Sequence, residues 1–528
     1  MEQAFKTLPA LIHQHALFAP GHAALVVGQR SMAYSALDTL MDRVSAALAA
    51  SGVQAGDAIA ICASTSIEYA AVFLGALRAG VVVAPLAPSS TAQSLGRMVA
   101  DAKAHVLFTD ASCADLVAQA TALAPAPTLA KLHRVTLDNS ASGEPLDAWL
   151  AKSAAAPAVA ASMPQITPDS PFNIIYSSGT TGEPKGIVQS HGMRWAHIQR
   201  GGVFGYGAST VTLLSTPLYS NTTLVVFIPT LAFGGTVVMM PKFDAGAYLA
   251  LAESRQVTHT MLVPVQYQRL LARPDFDSFN LSSFKNKFCT SAPFSAALKA
   301  DVVKRWPGGL IEFYGMTEGG GTCILEAHLH PEKLHTVGRP SLNHDIRLID
   351  ESGKVVPTGE SGEVVGHSAS MMTGYHGQPH KTREAEWFDD AGKRFIRTGD
   401  IGRFDAEGFL TLFDRRKDMI ISGGFNIYPS DLEGILMAHP DVQEVAVVGV
   451  ASEAWGETPV AFVVHADTSA ATGLPGADAA AELMGWANRQ LGSTQRISAV
   501  IWVDALPRSA IGKVLKRDLR ERYSASKA

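Results

Sequence analysis

Cysteine is scarce. The 528 residues contain four, Cys62, Cys113, Cys289 and Cys323, widely spaced and without a Cys-x-x-Cys pair or a His/Cys grouping. That excludes a disulfide framework and a zinc-finger-like ligand set, and makes a reduced cytosolic compartment the simplest setting. Charge is modest too: 17% of residues are Asp, Glu, Lys or Arg, the net charge is −5, and no long run of one sign occurs. Nothing in that balance recommends a nucleic acid or an anionic membrane as partner. A secretory signal is missing, because Met1-Glu2-Gln3-Ala4-Phe5-Lys6 leads to His13, His15 and Pro20 rather than to an apolar core. Between Arg200 and Lys242 no charged residue occurs. Pro217, Pro229, Gly234-Gly235 and the polar Ser220-Asn221-Thr222-Thr223 cut that stretch into pieces too short or too polar to span a bilayer. Buried strands and a helix of an α/β core explain it better. No internal repeat is visible.

What is present is a hydrophobic content of 47% on a chain longer than one core usually serves, so at least two domains are expected, the first large. The Ala/Pro-rich stretch 151–168 reads as a surface linker. Beyond it, β-branched runs at Val211-Thr212-Leu213-Leu214, Thr236-Val237-Val238-Met239, Thr260-Met261-Leu262-Val263 and Leu310-Ile311-Glu312-Phe313 alternate with helix-like segments at 245–254 and 294–306. That alternation predicts stacked βα units with mainly parallel strands. Residues 345–414 change to strand-turn-strand with Gly-rich turns, a small β subdomain. After the charged cluster Arg415-Arg416-Lys417-Asp418, an α+β pattern of domain size completes the chain. The expected fold is therefore an α/β N-terminal domain over 1–414 and a smaller α+β domain over 419–528.

Four segments carry candidate chemistry. Ser177-Ser178-Gly179-Thr180-Thr181-Gly182-Glu183-Pro184-Lys185-Gly186 follows the apolar run Phe172-Asn173-Ile174-Ile175. Its glycines permit a tight turn with N–H groups pointing inward, its hydroxyls can donate to phosphate oxygens, and Lys185 adds a positive charge. It is not a Walker A loop, since Glu183 and Pro184 separate Gly182 from Lys185. A flexible surface turn is the bland alternative. Tyr314-Gly315-Met316-Thr317-Glu318-Gly319-Gly320 ends a predicted strand, where α/β proteins place ligands, and offers an aromatic face, a hydroxyl and a carboxylate suited to Mg²⁺. A capped helix start would also account for Thr317-Glu318. Thr398-Gly399-Asp400 puts a carboxylate at a turn, either for ribose hydroxyls or as an ordinary β-turn. Pro507-Arg508-Ser509-Ala510-Ile511-Gly512-Lys513 puts a lysine after a glycine turn, a functional cation or a solvated helix-end residue.

Taken together and in this order, with Asp414 to Asp418 and Ser422-Gly423-Gly424-Phe425-Asn426-Ile427-Tyr428-Pro429, these segments resemble the adenylate-forming (AMP-binding) superfamily, in its acyl- and aryl-CoA synthetase branch. The resemblance runs from about Tyr34 to Lys516. It implies a two-step reaction: a carboxylic acid and ATP give acyl-AMP and pyrophosphate, then the acyl group passes to CoA. It also implies roles. Ser177, Ser178, Gly179, Thr180, Thr181, Gly182 and Lys185 would hold the phosphates, Glu318 would hold Mg²⁺, and Thr317 would touch the α-phosphate. Tyr314 would pack on adenine, with Gly315, Met316 and the backbone of Ser291-Ala292-Pro293 beside it. Asp400 and Arg415 would hold the ribose, and Lys513 would bridge the acyl carboxylate and the α-phosphate. The small domain would be mobile about a hinge at 415–418 with Lys417 as pivot, and Gly423, Gly424 and Phe425 would line the CoA tunnel. Acetylation of Lys513 by a lysine acetyltransferase, reversed by a deacetylase, would silence the enzyme.

One departure concerns the acid. Pro217-Leu218-Tyr219-Ser220-Asn221 has Ser220 where many relatives carry histidine. Tyr219, Ser220, Asn221, Val263, Gln266, Tyr267, Gly319 and Gly320 are the expected acyl pocket, and none is charged. A medium-sized, mostly uncharged aliphatic or aromatic acid is expected, and a dicarboxylic one is disfavoured unless Arg194 or His197 serves its far end. A free-standing adenylation enzyme loading a carrier protein, and a non-catalytic adenylate-binding protein, are the alternatives; retention of Glu318 and Lys513 argues against the latter.

Overall fold

The structure is a computed structural model that describes residues 4–123, 132–154, 165–177, 184–415, 418–422, 425–452, 455–466, 474–491, 495–509 and 513–527. It divides into two compact units, one of residues 1–346 and 366–396, the other of 347–365 and 397–528. The chain passes between them three times, within the strands Asp345–Ile349, Ser361–His367 and Arg394–Phe404.

The first unit is built on two large sheets. Nine strands form one, in the order Arg339–Pro340, Cys323–Glu326, Gly309–Tyr314, Asn286–Cys289, His259–Leu262, Val211–Leu214, Thr236–Met239, Ala23–Val27, Arg30–Ala33. Its six central strands are parallel and its outer ones antiparallel. The four β-branched runs of the sequence thus lie in the parallel part of one sheet, as the βα alternation predicts, with Asn286–Cys289 between the third and the fourth. They read as continuous apolar stretches because both faces are covered. The uncharged stretch supplies two of these strands and the helix Asn221–Ala232, which is apolar nearly all round because it is buried. Among the described residues no helix is long and apolar enough to cross a membrane.

Eight strands form the second sheet, in which Val82–Pro85, Ala58–Cys62 and Ala104–Thr109 lie parallel and Pro171–Ser177 pairs with Lys185–Ser190 as an antiparallel hairpin. Alternation along Ala58–Cys62 explains the packing. Ile59 and Ile61 enter the main core with the helices Tyr34–Ala50 and Ile67–Arg78, while Ala58, Ala60 and Cys62 pack against Ala92–Asp101 and Ala114–Leu123. All four cysteines are buried and free.

The strand-turn-strand region forms a five-stranded sheet, Asp345–Ile349, Ser361–His367, Arg394–Phe404 and Glu386–Phe388 in order, with Leu410–Arg415 also on Arg394–Phe404. In the second unit, a long hairpin of Val442–Ser452 and Gly456–His465 carries Ile420–Ser422 and a parallel strand, Ala499–Trp502, both paired with Gly456–His465. Its two faces bury separate apolar clusters, one under Pro429–Leu436 and Ala477–Asn488, the other including Leu519 of the final helix Lys516–Lys527.

Candidate active site

The hydroxyl-rich segment is flanked by two antiparallel strands, with Ser177 opposite Lys185, so Lys185 opens a strand and not the helix that follows a Walker loop. Residues 178–183, which include Ser178, Gly179, Thr180, Thr181 and Gly182, lie outside the described residues. Lys185 is placed: its ammonium stands 5.1 Å over the ring of Tyr375. That ring belongs to the short strand Gly374–Tyr375, paired with Lys185–Ser190. The Tyr375 hydroxyl donates to Glu318 Oε1 at 2.9 Å, and the Met372 amide donates to the Glu318 carbonyl at 2.8 Å. Burial, followed by the Glu318 charge, raises the Tyr375 pKa and keeps it a donor. Lys185, Tyr375 and Glu318 are thereby held together, although sequence reasoning did not single out Tyr375.

Thr317 is fixed from behind. Its carbonyl accepts a 2.7 Å bond from Gln189 Nε2, which also reaches Asn221 Oδ1 at 3.4 Å. Gln189 lies opposite Asn173 in the hairpin, and Asn173 Nδ2 donates to Gln189 Oε1 at 3.0 Å. Both amide oxygens also accept from Arg194, which follows on the helix His191–Gly201 and is 1% exposed. Burial pulls the Arg194 pKa down to about 9, and no carboxylate pairs with it among the described residues. A polar residue inside each apolar strand run was the available sequence signal. Only the strand register shows that the two meet.

The turn after Glu318 requires glycine. Gly319 has φ +77°, and a Cβ there would lie 1.7 Å from the Ser370 carbonyl oxygen. Ser291 is left-handed as well, at φ +82° without being glycine, a strained conformation of the kind that gathers at functional sites. Its hydroxyl is bonded to Thr222 Oγ1 at 2.6 Å. Ser291, Ala292 and Pro293 follow the strand Asn286–Cys289, and Tyr314 ends the adjacent parallel strand, so both expected adenine-binding segments leave carboxyl ends of neighbouring strands. Beneath them Lys299 pairs with Glu312 and donates to the carbonyls of Leu334 and Thr336 at 2.9 Å each.

The expected acyl residues are held in several ways. Tyr219 is part-buried, and Ser220 is the N-cap of Asn221–Ala232 without a side-chain cap bond. Gln266 caps its own helix through the Val263 amide, 3.1 Å, and reaches Ser215 Oγ at 3.2 Å. Tyr267 is fully buried, donates to the Phe288 carbonyl at 2.9 Å and stacks on Phe294.

In the second unit, Thr398, Gly399 and Asp400 lie within the strand Arg394–Phe404 and not at the turn expected from the sequence: Gly399 is left-handed, the Asp400 amide donates to Thr398 Oγ1 at 3.0 Å, and Asp400 stands opposite Arg415 on the neighbouring strand. Lys417, Gly423 and Gly424 lie outside the described residues, as do the side chains of Arg415 and Phe425. Asp418 is buried and accepts from Arg520 at 2.9 Å. Lys513 is tied to Ser509: the Ser509 amide donates to its carbonyl at 2.8 Å and its own amide donates to Ser509 Oγ at 3.2 Å.

Residues 12–376 match the AMP-binding enzyme family, and residues 431–513 match the AMP-binding enzyme C-terminal domain. The chain belongs to the AMP-binding enzyme family. It stands in the acyl- and aryl-CoA synthetase branch of the adenylate-forming superfamily. It is similar to feruloyl-CoA synthase of an Amycolatopsis species, 34% identical over 518 residues that cover 97% of this chain and 98% of that protein. It is 32% identical to indoleacetate–CoA ligase of Aromatoleum aromaticum over 526 residues, 97% of each chain. ATP-bound MatB from Rhodopseudomonas palustris has the same fold, with a TM-score of 0.85 at 28% identity over 99% of this chain and 100% of that one.

An AMP-binding enzyme of this branch uses ATP, Mg²⁺ and CoA, and the residues here fit the ion. Among the described residues no group of three or more His, Cys, Asp or Glu side chains gathers as a metal cage. A single carboxylate, Glu318, is oriented at one oxygen by Tyr375 and makes no hydrogen bond through the other among the described residues. One carboxylate completed by substrate phosphates and water is how Mg²⁺ is commonly held in nucleotide enzymes.

Proposed function

We propose that this enzyme activates a medium-sized aliphatic or aromatic carboxylic acid as acyl-AMP, with release of pyrophosphate, and passes the acyl group to CoA. A carboxylate is a poor electrophile, and the mixed anhydride supplies the leaving group it lacks. Both reactants of the first step are anionic, so preplaced positive charge is the main requirement. The observation that carries the reading is the joint placement of Lys185, Tyr375 and Glu318, with Thr317 anchored through Gln189. In it, Glu318 holds Mg²⁺, which offsets phosphate charge, and Lys185 with the 177–182 loop holds the polyphosphate. Thr317 meets the α-phosphate, Tyr314 and Ser291–Pro293 flank adenine, and Asp400 and Arg415 take the ribose. Lys513 supplies the cation between acid and α-phosphate, and its acetylation would remove that charge. A hinge at 415–418, with Lys417 as pivot, separates a 1–414 domain from a mobile 419–528 domain that brings Lys513 for the first step and Gly423, Gly424 and Phe425 for the second.

The test is acid-dependent pyrophosphate release from ATP, with and without CoA, across a panel of acids. Acyl-CoA should form only when CoA is supplied. Lys513→Ala should lose roughly 3 to 5 kcal/mol of transition-state stabilisation in the first step and spare thioester formation from supplied acyl-AMP. Acyl-AMP that forms but never passes to CoA would redirect the reading to a carrier-protein acceptor.

A further inference from the structure

The helix that carries Arg194 continues to Arg200, and there the surroundings change. Arg200 lies over the face of Phe313, 5.3 Å from the ring centroid, and makes no hydrogen bond or ion pair among the described residues. It borders a small cavity together with His197, Tyr206, Val225, Phe288 and Phe313. The walls are aromatic: Phe288 and Phe313 stack at 5.4 Å, and Tyr206 stacks on Phe288 at 6.3 Å. The polar groups at its edge are donors. Tyr206 is 8% exposed and its hydroxyl is buried without a hydrogen-bond partner. His197, 7% exposed, receives Arg194 Nη1 at Nδ1, 3.4 Å away, and since a guanidinium only donates, the His197 proton is on Nε2. Burial and the neighbouring Arg200, Arg194 and His344 hold that imidazole neutral.

A permanent cation, a phenol and an imidazole N–H border one apolar slot, and no carboxylate answers Arg200 among the described residues. Buried donors left without acceptors are costly, so such a set persists where something else supplies the acceptor. The slot encloses about 20 Å³, room for a terminal group and not for a whole acyl chain. Its position names the molecule to which that group belongs. Phe313 directly precedes Tyr314, Phe288 lies three residues before Ser291, and Val225 lies one turn beyond Asn221 on its helix. The cavity is therefore lined by residues that precede the carboxyl ends of the strands leading into the nucleotide segments and by the helix whose amino end carries Asn221.

We propose that this slot binds an oxygen acceptor at the far end of the acid, with Arg200 and Tyr206 as its specificity-determining donors. The inference rests on the acid-activating reading above and sharpens its substrate class. It also revises the sequence expectation, in which the far end lacked a cation unless Arg194 or His197 served it. Arg194 is engaged by Asn173 and Gln189, and Arg200 is the cation at the slot.

The test uses matched acids, each as an unsubstituted, a terminally hydroxylated and a terminally carboxylated form: phenylpropanoates with the para position varied, and straight-chain acids of four to ten carbons with the ω position varied. Acyl-CoA formation is followed as kcat/KM. In at least one series an oxygenated form should exceed the unsubstituted one by tenfold or more. Arg200→Met should reduce that preference to within threefold, chiefly by raising the KM of the oxygenated acid, and leave the KM for ATP unchanged. Tyr206→Phe, which removes one atom, should reduce it severalfold and guards against misfolding of the first variant. The hydroxyl and carboxylate arms decide whether the acceptor is neutral or anionic. Equal rates for all forms, a preference for the unsubstituted acid, or a preference that survives both substitutions overturns the proposal. Pyrophosphate release with none of the acids would strike the acid-activating reading, and this inference with it.

Discussion

Arg194 and Arg200 stand six residues apart on one helix, and neither has a carboxylate partner among the described residues, yet they differ in kind. Arg194 is enclosed by two amide oxygens, and through Gln189 its hold extends to the Thr317 carbonyl. Arg200 has an aromatic face beneath it and no acceptor among the described residues. Six residues turn a helix through about 600°, so the two guanidiniums leave on different sides, and His197 between them contacts one and shares a cavity with the other. The difference separates an anchor satisfied within the protein from a donor left for a ligand. Stability should respond to the first and substrate choice to the second.

The largest effect should come from Arg194→Met. It strands the Asn173 oxygen in a buried site, at about 1 to 3 kcal/mol for the unsatisfied group, and removes the charged bond to the Gln189 oxygen, which keeps only its bond from Asn173, so a loss of roughly 3 to 5 kcal/mol is expected in denaturant unfolding. Arg200→Met should move stability by less than about 1 kcal/mol, since it removes a partly desolvated charge that bonds to nothing. Similar losses in both variants would erase the distinction. Gln189→Glu tests how far the anchor reaches. It gives Arg194 a carboxylate but removes the N–H that holds the Thr317 carbonyl, and a cost of about 2 kcal/mol corresponds to roughly 30-fold in rate. That loss should fall on acyl-AMP formation, measured as single-turnover pyrophosphate release, with thioester formation from supplied acyl-AMP changed less. An equal fall in both steps would confine the network to a structural role.

A smaller effect, about 1 kcal/mol or fivefold, is expected for Tyr375→Phe, which frees Glu318 Oε1 and leaves the ring under Lys185. The Mg²⁺ concentration needed for half-maximal pyrophosphate release should rise, and excess Mg²⁺ should recover most of the rate. An unchanged Mg²⁺ requirement would detach Tyr375 from the metal site.

The contrast between anchor and open donor also marks what could be read in the sequence. The parallel sheet was legible because runs such as Val211–Leu214 and Thr236–Met239 are short, β-branched and spaced by helical segments, and these are local properties. Glu318 and Lys185 were legible because their neighbours along the chain form motifs. Tyr375 was not, because it meets Glu318 only through the pairing of Gly374–Tyr375 with Lys185–Ser190, between segments far apart in sequence. The Asn173–Gln189 pair depends on hairpin register, and a shift of one residue would turn each to the opposite face. Arg200 and Tyr206 meet Phe288 and Phe313 only once the helix lies on the sheet. For the same reason the strand-turn-strand region read as one subdomain, while the compact units divide within its strands, a property of packing that no local pattern records.

The smallest expected effect is on the fold itself, in Tyr206→Phe measured without any acid. A buried hydroxyl that finds no partner has lost its hydration and gained nothing in return, so removing it should leave stability unchanged or raise it by up to about 1 kcal/mol. Tyr248→Phe is the control, because that hydroxyl is equally buried but donates to Thr260 Oγ1 at 2.8 Å, and its loss should cost about 1 kcal/mol. Both changes delete one oxygen from a buried ring in the same unit, so the difference between them isolates the hydrogen bond. If Tyr206→Phe costs as much as Tyr248→Phe, the Tyr206 hydroxyl is already satisfied, as by a water sealed in the cavity, and Arg200 would share that water instead of awaiting the acid. If the two variants separate as expected, the slot is unsatisfied in the free protein. The stability gained on adding an oxygenated acid should then be larger for wild type than for Tyr206→Phe.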